Sequence, residues 1–190
     1  MNIAIFASGG GSNADTIIQH FKHIKNISVR LVVTNNPKAG VLRVADFHQV
    51  PFEIITKSML YDSSDVLSLM KQYEIDFIAL AGFLWWVPDN ILNEYQGSIV
   101  NIHPSLLPKY GGKGMYGHHI HEAVHRSKDT YTGLTIHHVT EEYDAGQIIV
   151  QVKCPVYASD TPQDIGRRVL AFEHAVYPRT IQFLIEDRNP

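Results

Sequence analysis

Asn101 and His103 are the residues whose types and spacing most directly suggest chemistry, and both lie in the stretch IVNIHP. In an extended strand, side chains two residues apart point to the same face, and Pro104 ends the hydrogen-bonded ladder directly after them. An asparagine amide can donate to a developing oxyanion, while an imidazole can move a proton or stabilise the same charge. The pair therefore suits acyl transfer, and a satisfied polar pair at a strand end remains the alternative.

Asp144 is a third candidate, in the polar turn TEEYDAG before an apolar run. A carboxylate near His103 favours the charged imidazolium and fixes the orientation of the ring. Sequence separation alone does not bring the two residues together, and an ordinary solvated turn residue remains the alternative. We predict that Asp144 raises the pKa of His103.

A glycine-rich stretch, ASGGGSNADT, follows the first apolar run and opens a helical pattern. Such a turn presents free backbone N–H groups and a helix N-terminus to an anion, and Ser12 and Asn13 add side-chain donors. Gly9, Gly11 and Ala14 also match the dinucleotide fingerprint. The second apolar run, however, ends in Thr-Asn-Asn instead of the acidic residue that holds a ribose. The stretch therefore favours a phosphate monoester over a dinucleotide, and a tight structural turn is the alternative.

Eleven histidines are many for this length, and His118, His119, His121 and His125 lie close together. No H-E-x-x-H pattern occurs and no cysteine accompanies them, so we predict no metal site. The run is more typical of a helix start with only part of it facing inward.

Short apolar runs that alternate with helical patterns must position these residues, and they predict an α/β fold. We expect a mostly parallel twisted sheet with helices on both faces. The chain then closes with two further strands and a long helix, which begins at a capping box of Thr161 and Asp164 and is kinked or split by Pro178. Residues 1–190 form a single domain, with halves of about 1–100 and 101–190.

Composition narrows the classes of function. A net charge of -3 gives no electrostatic footprint for nucleic acid, and no apolar run is long enough to cross a membrane. The single cysteine, Cys154, lies in an apolar stretch, and we predict that it is a buried structural thiol. We predict a cytoplasmic protein that is a monomer or homodimer, binds small molecules, and has neither nucleic-acid nor membrane partners.

Five motifs together carry a family resemblance: SGGGSN, ALAGF, NIHPSLLPKYGG, YDAG and EHAVYP. In this order and spacing the chain resembles the phosphoribosylglycinamide formyltransferases from Met1 to about Leu184. The resemblance implies the formyltransferase fold with a Rossmann-like N-terminal half. It also implies transfer of the formyl group of 10-formyltetrahydrofolate to the glycine amine of 5-phosphoribosylglycinamide, a step of purine biosynthesis that needs no metal.

The resemblance also implies roles for individual residues. The catalytic residues are Asn101, His103 and Asp144. The phosphate of the ribonucleotide falls on Gly11, Ser12 and Asn13, and its ribose on Glu173. The folate falls on Leu84, Trp85, Trp86, Val87, Asn101, Thr140 and Asp144.

The chain departs from the family pattern in three places. Trp85 stands where the family often has an arginine, so aromatic surface replaces a charge in the folate site. Lys57 is the only cation near a second position where many members have an arginine. The segment Gly111–His119 has two extra glycines and is expected to be a mobile loop over the site, with His119 and His121 assisting.

Three alternatives stay open. A 10-formyltetrahydrofolate hydrolase has a similar core but carries an N-terminal regulatory domain, and a first strand beginning at Asn2 favours transfer instead. A methionyl-tRNA formyltransferase adds a basic C-terminal RNA-binding domain. A non-catalytic nucleotide-binding module would keep the phosphate loop without needing Asn101, His103 and Asp144 together.

Overall fold

Alternation along the first strand shows why the sheet is covered on both faces. Ile3 and Ile5 enter one hydrophobic core, while Ala4 and Phe6 enter the other. Strands buried on both faces are typical of parallel α/β sheets. A computed structural model describes residues 1–188 and confirms this fold class.

The described residues contain seven strands in one sheet, in the order β3-β2-β1-β4-β5-β6-β7. Strands β1 to β5 are parallel, β6 pairs antiparallel with β5, and β7 pairs antiparallel with β6. The strands are β1 Asn2–Phe6, β2 Ser28–Thr34, β3 Phe52–Ile54, β4 Phe77–Leu80, β5 Ile99–His103, β6 Tyr131–His138 and β7 Ile148–Pro155.

Helices cover the two faces as separate layers. Buried residues of α1, α2, α6 and α7 join one core, and those of α3, α4 and α5 join the other. None of the helices within residues 1–188 is long and apolar enough to cross a membrane. The helices are α1 Ser12–Phe21, α2 Val41–His48, α3 Lys57–Tyr61, α4 Asp65–Gln72, α5 Asp89–Glu94, α6 His118–Ser127 and α7 Pro162–Arg188.

The strand order reverses between β1 and β4, because the chain builds β2 and β3 on one side before crossing to the other. Loops that leave the carboxyl ends of β1 and β4 therefore diverge and open a crevice, the usual ligand site of such sheets. Ser8 links the two loops: its N–H donates to the Gly82 carbonyl at 3.0 Å, and its hydroxyl accepts from the Leu84 N–H at 2.9 Å.

The long closing helix begins as predicted. Thr161 and Asp164 bond reciprocally, with the Thr161 N–H donating to the Asp164 carboxylate at 2.9 Å and the Asp164 N–H donating to the Thr161 hydroxyl at 3.2 Å. The predicted split at Pro178 is wrong, since α7 continues through this residue as one helix. Buried side chains on both sides of Pro178, including Tyr177 and Ile181, hold the helix against the sheet.

We predict that Tyr177→Phe destabilises the fold. The fully buried Tyr177 hydroxyl lies 2.8 Å from the Leu80 carbonyl oxygen and 3.1 Å from that of Val100, so it ties α7 to β4 and β5. Leaving buried carbonyls without this donor costs about 1 to 3 kcal/mol, measured as the free energy of unfolding in urea. Tyr157→Phe is the control, because Tyr157 is 57% exposed and keeps its ring over Arg168. Equal stability of the two variants would contradict the prediction.

Candidate active site

A cavity of about 950 Å³ lies along the carboxyl ends of β1, β4 and β5. Every residue that the resemblance assigns to catalysis, to the ribonucleotide or to the folate lines it. These residues are Gly11, Ser12, Asn13, Leu84, Trp85, Trp86, Val87, Asn101, His103, Thr140, Asp144 and Glu173. The fold therefore brings both predicted binding regions and the predicted catalytic group into one space, and their roles stay predictions.

Asn101, His103 and Asp144 meet at one edge of this cavity. The first two lie at the end of β5, and the turn after β6 brings Asp144 to them, with its Oδ1 3.5 Å from the His103 Nδ1. The side chains of His103 and Asp144 are only 5% and 11% exposed. Asp144 is largely buried beside a buried imidazole, unlike an ordinary surface turn residue. The geometry therefore excludes the alternative that Asp144 is a solvated turn residue.

Both ring nitrogens of His103 face acceptors. Nε2 lies 2.7 Å from the Tyr110 carbonyl oxygen, to which it donates, and Nδ1 faces the Asp144 carboxylate. The bond to Tyr110 occupies Nε2, so Nδ1 is the nitrogen left for a ligand in the cavity. An imidazole with an acceptor at each nitrogen binds two protons more readily than one in an apolar pocket.

Burial nevertheless dominates the titration of this histidine. It lowers the pKa of His103 below its ordinary value, although Asp144 and the Tyr110 carbonyl act in the opposite direction. The prediction that Asp144 raises this pKa is therefore correct for the contribution of Asp144 and wrong for the net shift. In the free protein the ring is mainly neutral at pH 7.

Asp144 is held in its charged form by its neighbours. Burial raises its pKa, but the bond with His137, the charge of His103 and the N–H of Gly112 together lower the pKa below its ordinary value. The Gly112 N–H donates to Oδ2 at 2.9 Å, which leaves Oδ1 for the two histidines.

His137 is a member of this site that sequence reasoning missed. Its Nδ1 lies 2.8 Å from the His138 carbonyl oxygen, to which it donates, and its Nε2 lies 3.2 Å from the Nδ2 of the Asn101 amide. The same Nε2 is 3.6 Å from Asp144. Strand register places His137 directly opposite Asn101, and no local signal in the sequence shows that pairing.

The glycine-rich turn forms the second region of the cavity. Gly11 precedes α1 with a φ of 89°, and no side chain caps the helix. A Cβ on Gly11 would lie 2.7 Å from the Val41 Cα, so the backbone conformation and the close approach of α2 both require glycine. An uncapped helix N-terminus with free N–H groups suits an anion, and the predicted binding of a phosphate here stays a prediction.

Glu173 and Asn13 lie beside this turn. The Asn13 Nδ2 donates to the Glu173 carboxylate at 2.6 Å, and burial raises the pKa of Glu173. The Asn13 Oδ1 is buried without a hydrogen-bond partner. The pair therefore offers unused acceptors next to the anion site, which suits the hydroxyl groups of a ribose.

The third region is aromatic. Trp86 packs edge-to-face against Tyr143 with ring centroids 5.6 Å apart, and the Tyr61 hydroxyl donates to the Trp86 carbonyl at 3.1 Å. Trp85 is half-buried, with the Lys57 Nζ 5.9 Å above its ring. Flat aromatic surface with one cation at its edge suits a planar ligand that carries negative charge.

Residues 112–118, which belong to the predicted loop, line the cavity, and the mobility of that loop stays a prediction. His121 also lines it, whereas His119 does not. The geometry therefore does not support a role for His119 in the reaction. Among residues 1–188, only His118, His119 and Glu122 bring potential metal-ligand atoms within 4.8 Å of one another. The absence of a metal from the chemistry stays a prediction.

Comparison with known proteins identifies relatives that match nearly the whole chain. A sequence model of the formyl transferase family matches residues 1–181. The phosphoribosylglycinamide formyltransferase of Escherichia coli is 36% identical over 99% of this chain and 89% of its own length. The chloroplastic phosphoribosylglycinamide formyltransferase of Arabidopsis thaliana is 38% identical over 98% of this chain, which spans 66% of the plant protein, just under two thirds.

Known structures extend the match to the fold. The crystal structure of phosphoribosylglycinamide formyltransferase from Bacillus halodurans superposes with a TM-score of 0.87 at 36% identity. The superposition covers 97% of this chain and 95% of that one. The chain therefore belongs to the formyl transferase family, and the relatives that it matches there are phosphoribosylglycinamide formyltransferases.

Proposed function

We propose that this protein transfers the formyl group of 10-formyltetrahydrofolate to the glycine amine of 5-phosphoribosylglycinamide, a step of purine biosynthesis. One observation carries the proposal: Asn101, His103 and Asp144 lie in the same cavity as an uncapped helix N-terminus and an aromatic region. A phosphorylated acceptor and a planar donor held at opposite ends meet at these three residues.

The reaction requires stabilisation of one oxyanion. The substrate amine attacks the formyl carbon, and negative charge develops on the formyl oxygen. The Asn101 amide, oriented by its bond to His137, donates to this oxygen, and the Nδ1 side of His103 faces it. Developing charge favours the protonated ring, which offsets the effect of burial on the His103 pKa. A metal is not needed for this step.

The reaction also requires one proton transfer. As the carbon–nitrogen bond to the folate breaks, the attacking amine loses a proton and the folate N10 gains one. Asp144 and His103 are the groups placed to pass this proton, directly or through a water molecule.

The remaining site residues then bind the two substrates. Gly11, Ser12 and Asn13 hold the phosphate and Glu173 the ribose. Leu84, Trp85, Trp86, Val87 and Thr140, together with Asn101 and Asp144, surround the folate. We further propose that residues 1–190 act as one formyltransferase domain and that the loop Gly111–His119 is mobile.

The cellular setting also remains a proposal. A cytoplasmic protein that is a monomer or homodimer and has no nucleic-acid partner fits the composition, whereas the Arabidopsis relative is named as chloroplastic.

An absorbance assay of tetrahydrofolate release tests the proposed reaction. We expect turnover with 10-formyltetrahydrofolate only when 5-phosphoribosylglycinamide is present, because the amine is the nucleophile. Equal turnover without the ribonucleotide identifies a hydrolase. Absence of turnover, with saturable binding of the ribonucleotide, identifies a non-catalytic binding module.

We predict that Ser12→Asp strongly weakens ribonucleotide binding without harming the fold. A carboxylate in the first turn of a helix is favourable, so the melting temperature should stay equal or rise. The same charge repels the substrate phosphate at a cost of several kcal/mol, so the ribonucleotide KM should rise about 100-fold or more. Ser12→Thr keeps the hydroxyl and should stay near wild type. A parallel rise in the folate KM would contradict the assignment.

We predict that Asp144→Asn lowers kcat by about 100-fold or more, within the usual range for proton-transfer catalysis, with little change in ribonucleotide KM. Asp144 raises the pKa of His103 against burial, so its loss lowers that pKa further. Activity that depends on the protonated ring falls as pH rises through this pKa, so the alkaline limb of the kcat profile should move to lower pH. Glu141→Gln, in the same turn, is the control. An unmoved limb with near-normal kcat would show that Asp144 has no such role.

A further inference from the structure

The bond between His103 and the Tyr110 carbonyl depends on an unusual backbone conformation. Tyr110 has a φ of 58°, in the left-handed region that residues other than glycine seldom adopt. This conformation costs about 1 to 2 kcal/mol for a residue with a Cβ and persists only where the surroundings enforce it. The structure must therefore hold Tyr110 in place for its carbonyl to reach the Nε2 of His103 at 2.7 Å.

Buried side chains brace the beginning of the segment that leads to Tyr110. The Ser105 hydroxyl donates to the Lys109 carbonyl at 2.6 Å, and the Thr135 hydroxyl donates to the Ser105 carbonyl at 2.6 Å. Both Ser105 and Thr135 are fully buried. These bonds tie the turn to β6, and beyond Tyr110 the Gly112 N–H donates to the Asp144 carboxylate at 2.9 Å. Neither set of bonds holds the Tyr110 hydroxyl or the Lys109 side chain.

Asp129, in the connection between α6 and β6, supplies a further brace. Its carboxylate accepts from the Lys109 Nζ at 2.8 and 2.6 Å and from the Tyr110 hydroxyl at 2.8 Å. The Lys109 Nζ also lies 5.0 Å from the centre of the Tyr110 ring. The side chains of Asp129, Lys109 and Tyr110 thus contact one another, and Tyr110 is the residue with the unfavourable φ.

The position of this cluster gives it a function beyond stability. Tyr110 is followed by Gly111 and Gly112, so motion of the loop acts first on the Tyr110 peptide. Asp129 is the last charged contact before the glycines. If Tyr110 relaxed from the left-handed region, its carbonyl would rotate away, and the Nε2 of His103 would be left buried without its acceptor.

We propose that Asp129 is a positioning residue for His103, which it orients through Lys109 and Tyr110. This inference rests on the proposed function for its kinetic consequence, whereas the orientation of the ring is measurable without any reaction. Asp144 contacts the same ring from the turn after β6, and His137 contacts Asp144 from β6 itself.

Asp129→Ala tests the proposal. We expect kcat to fall about tenfold, a fraction of the roughly 10²-fold to 10⁴-fold available from proton-transfer catalysis, with both KM values unchanged. In the NMR spectrum, the exchange-protected Nε2–H signal of His103 should be lost. The His103 pKa should also fall, because the Tyr110 carbonyl raises it.

Two further variants separate positioning from simple stability. Asp129→Asn keeps an oxygen that can accept from the Tyr110 hydroxyl, so it should restore the Nε2–H signal and most of kcat. Glu94→Ala breaks an exposed ion pair with Lys71 elsewhere and should leave both unchanged. A folded Asp129→Ala protein with the Nε2–H signal and kcat of the wild type would overturn the proposal. A wild-type protein without turnover would instead refute the proposed function, while the signal still tests the role of Asp129.

Discussion

The site depends on the burial of an imidazole at the end of a strand. His103 is taken out of water, and a buried polar ring is costly unless its nitrogens find partners. The chain supplies those partners from two directions: a carbonyl seven residues ahead at Tyr110 and a carboxylate from the distant turn at Asp144. Much of the structure around β5 serves to bring these two acceptors to one ring.

The antiparallel end of the sheet is what makes that possible. Parallel strands β1 to β5 place their carboxyl ends at one edge of the sheet. The glycine-rich turn and the aromatic segment line the cavity at this edge. Strand β6 then runs back beside β5, so His137 lies opposite Asn101 and the following turn returns Asp144 to the cavity. The parallel part thus carries the predicted binding regions, and the antiparallel part brings the Asp144 carboxylate to them.

Competition between desolvation and charge sets the chemistry of the site. Burial lowers the pKa of His103 and raises that of Glu173, so in the free protein both groups tend toward their neutral forms. Asp144 stays ionised because His137, His103 and the Gly112 N–H all favour its charge. The Asp144 carboxylate is charged in the free protein, whereas burial disfavours the charged form of the His103 imidazole. The imidazole can therefore gain a proton when a reaction creates negative charge beside it.

The sequence by itself determined the sheet, the glycine turn and the candidate residues, because these depend on local physics. Alternating apolar runs specify strands buried on both faces, a glycine with positive φ permits the turn at Gly11, and residues two apart on a strand share a face. The continuity of α7 through Pro178 was not predictable, since tertiary packing outweighed the local cost of proline. Only the tertiary structure decided that His137 faces Asn101, that Asp129 holds Tyr110, and that burial outweighs Asp144 in the titration of His103. Each of these depends on strand register or on burial by segments that are distant in the sequence. Neither property can be read from neighbouring residues.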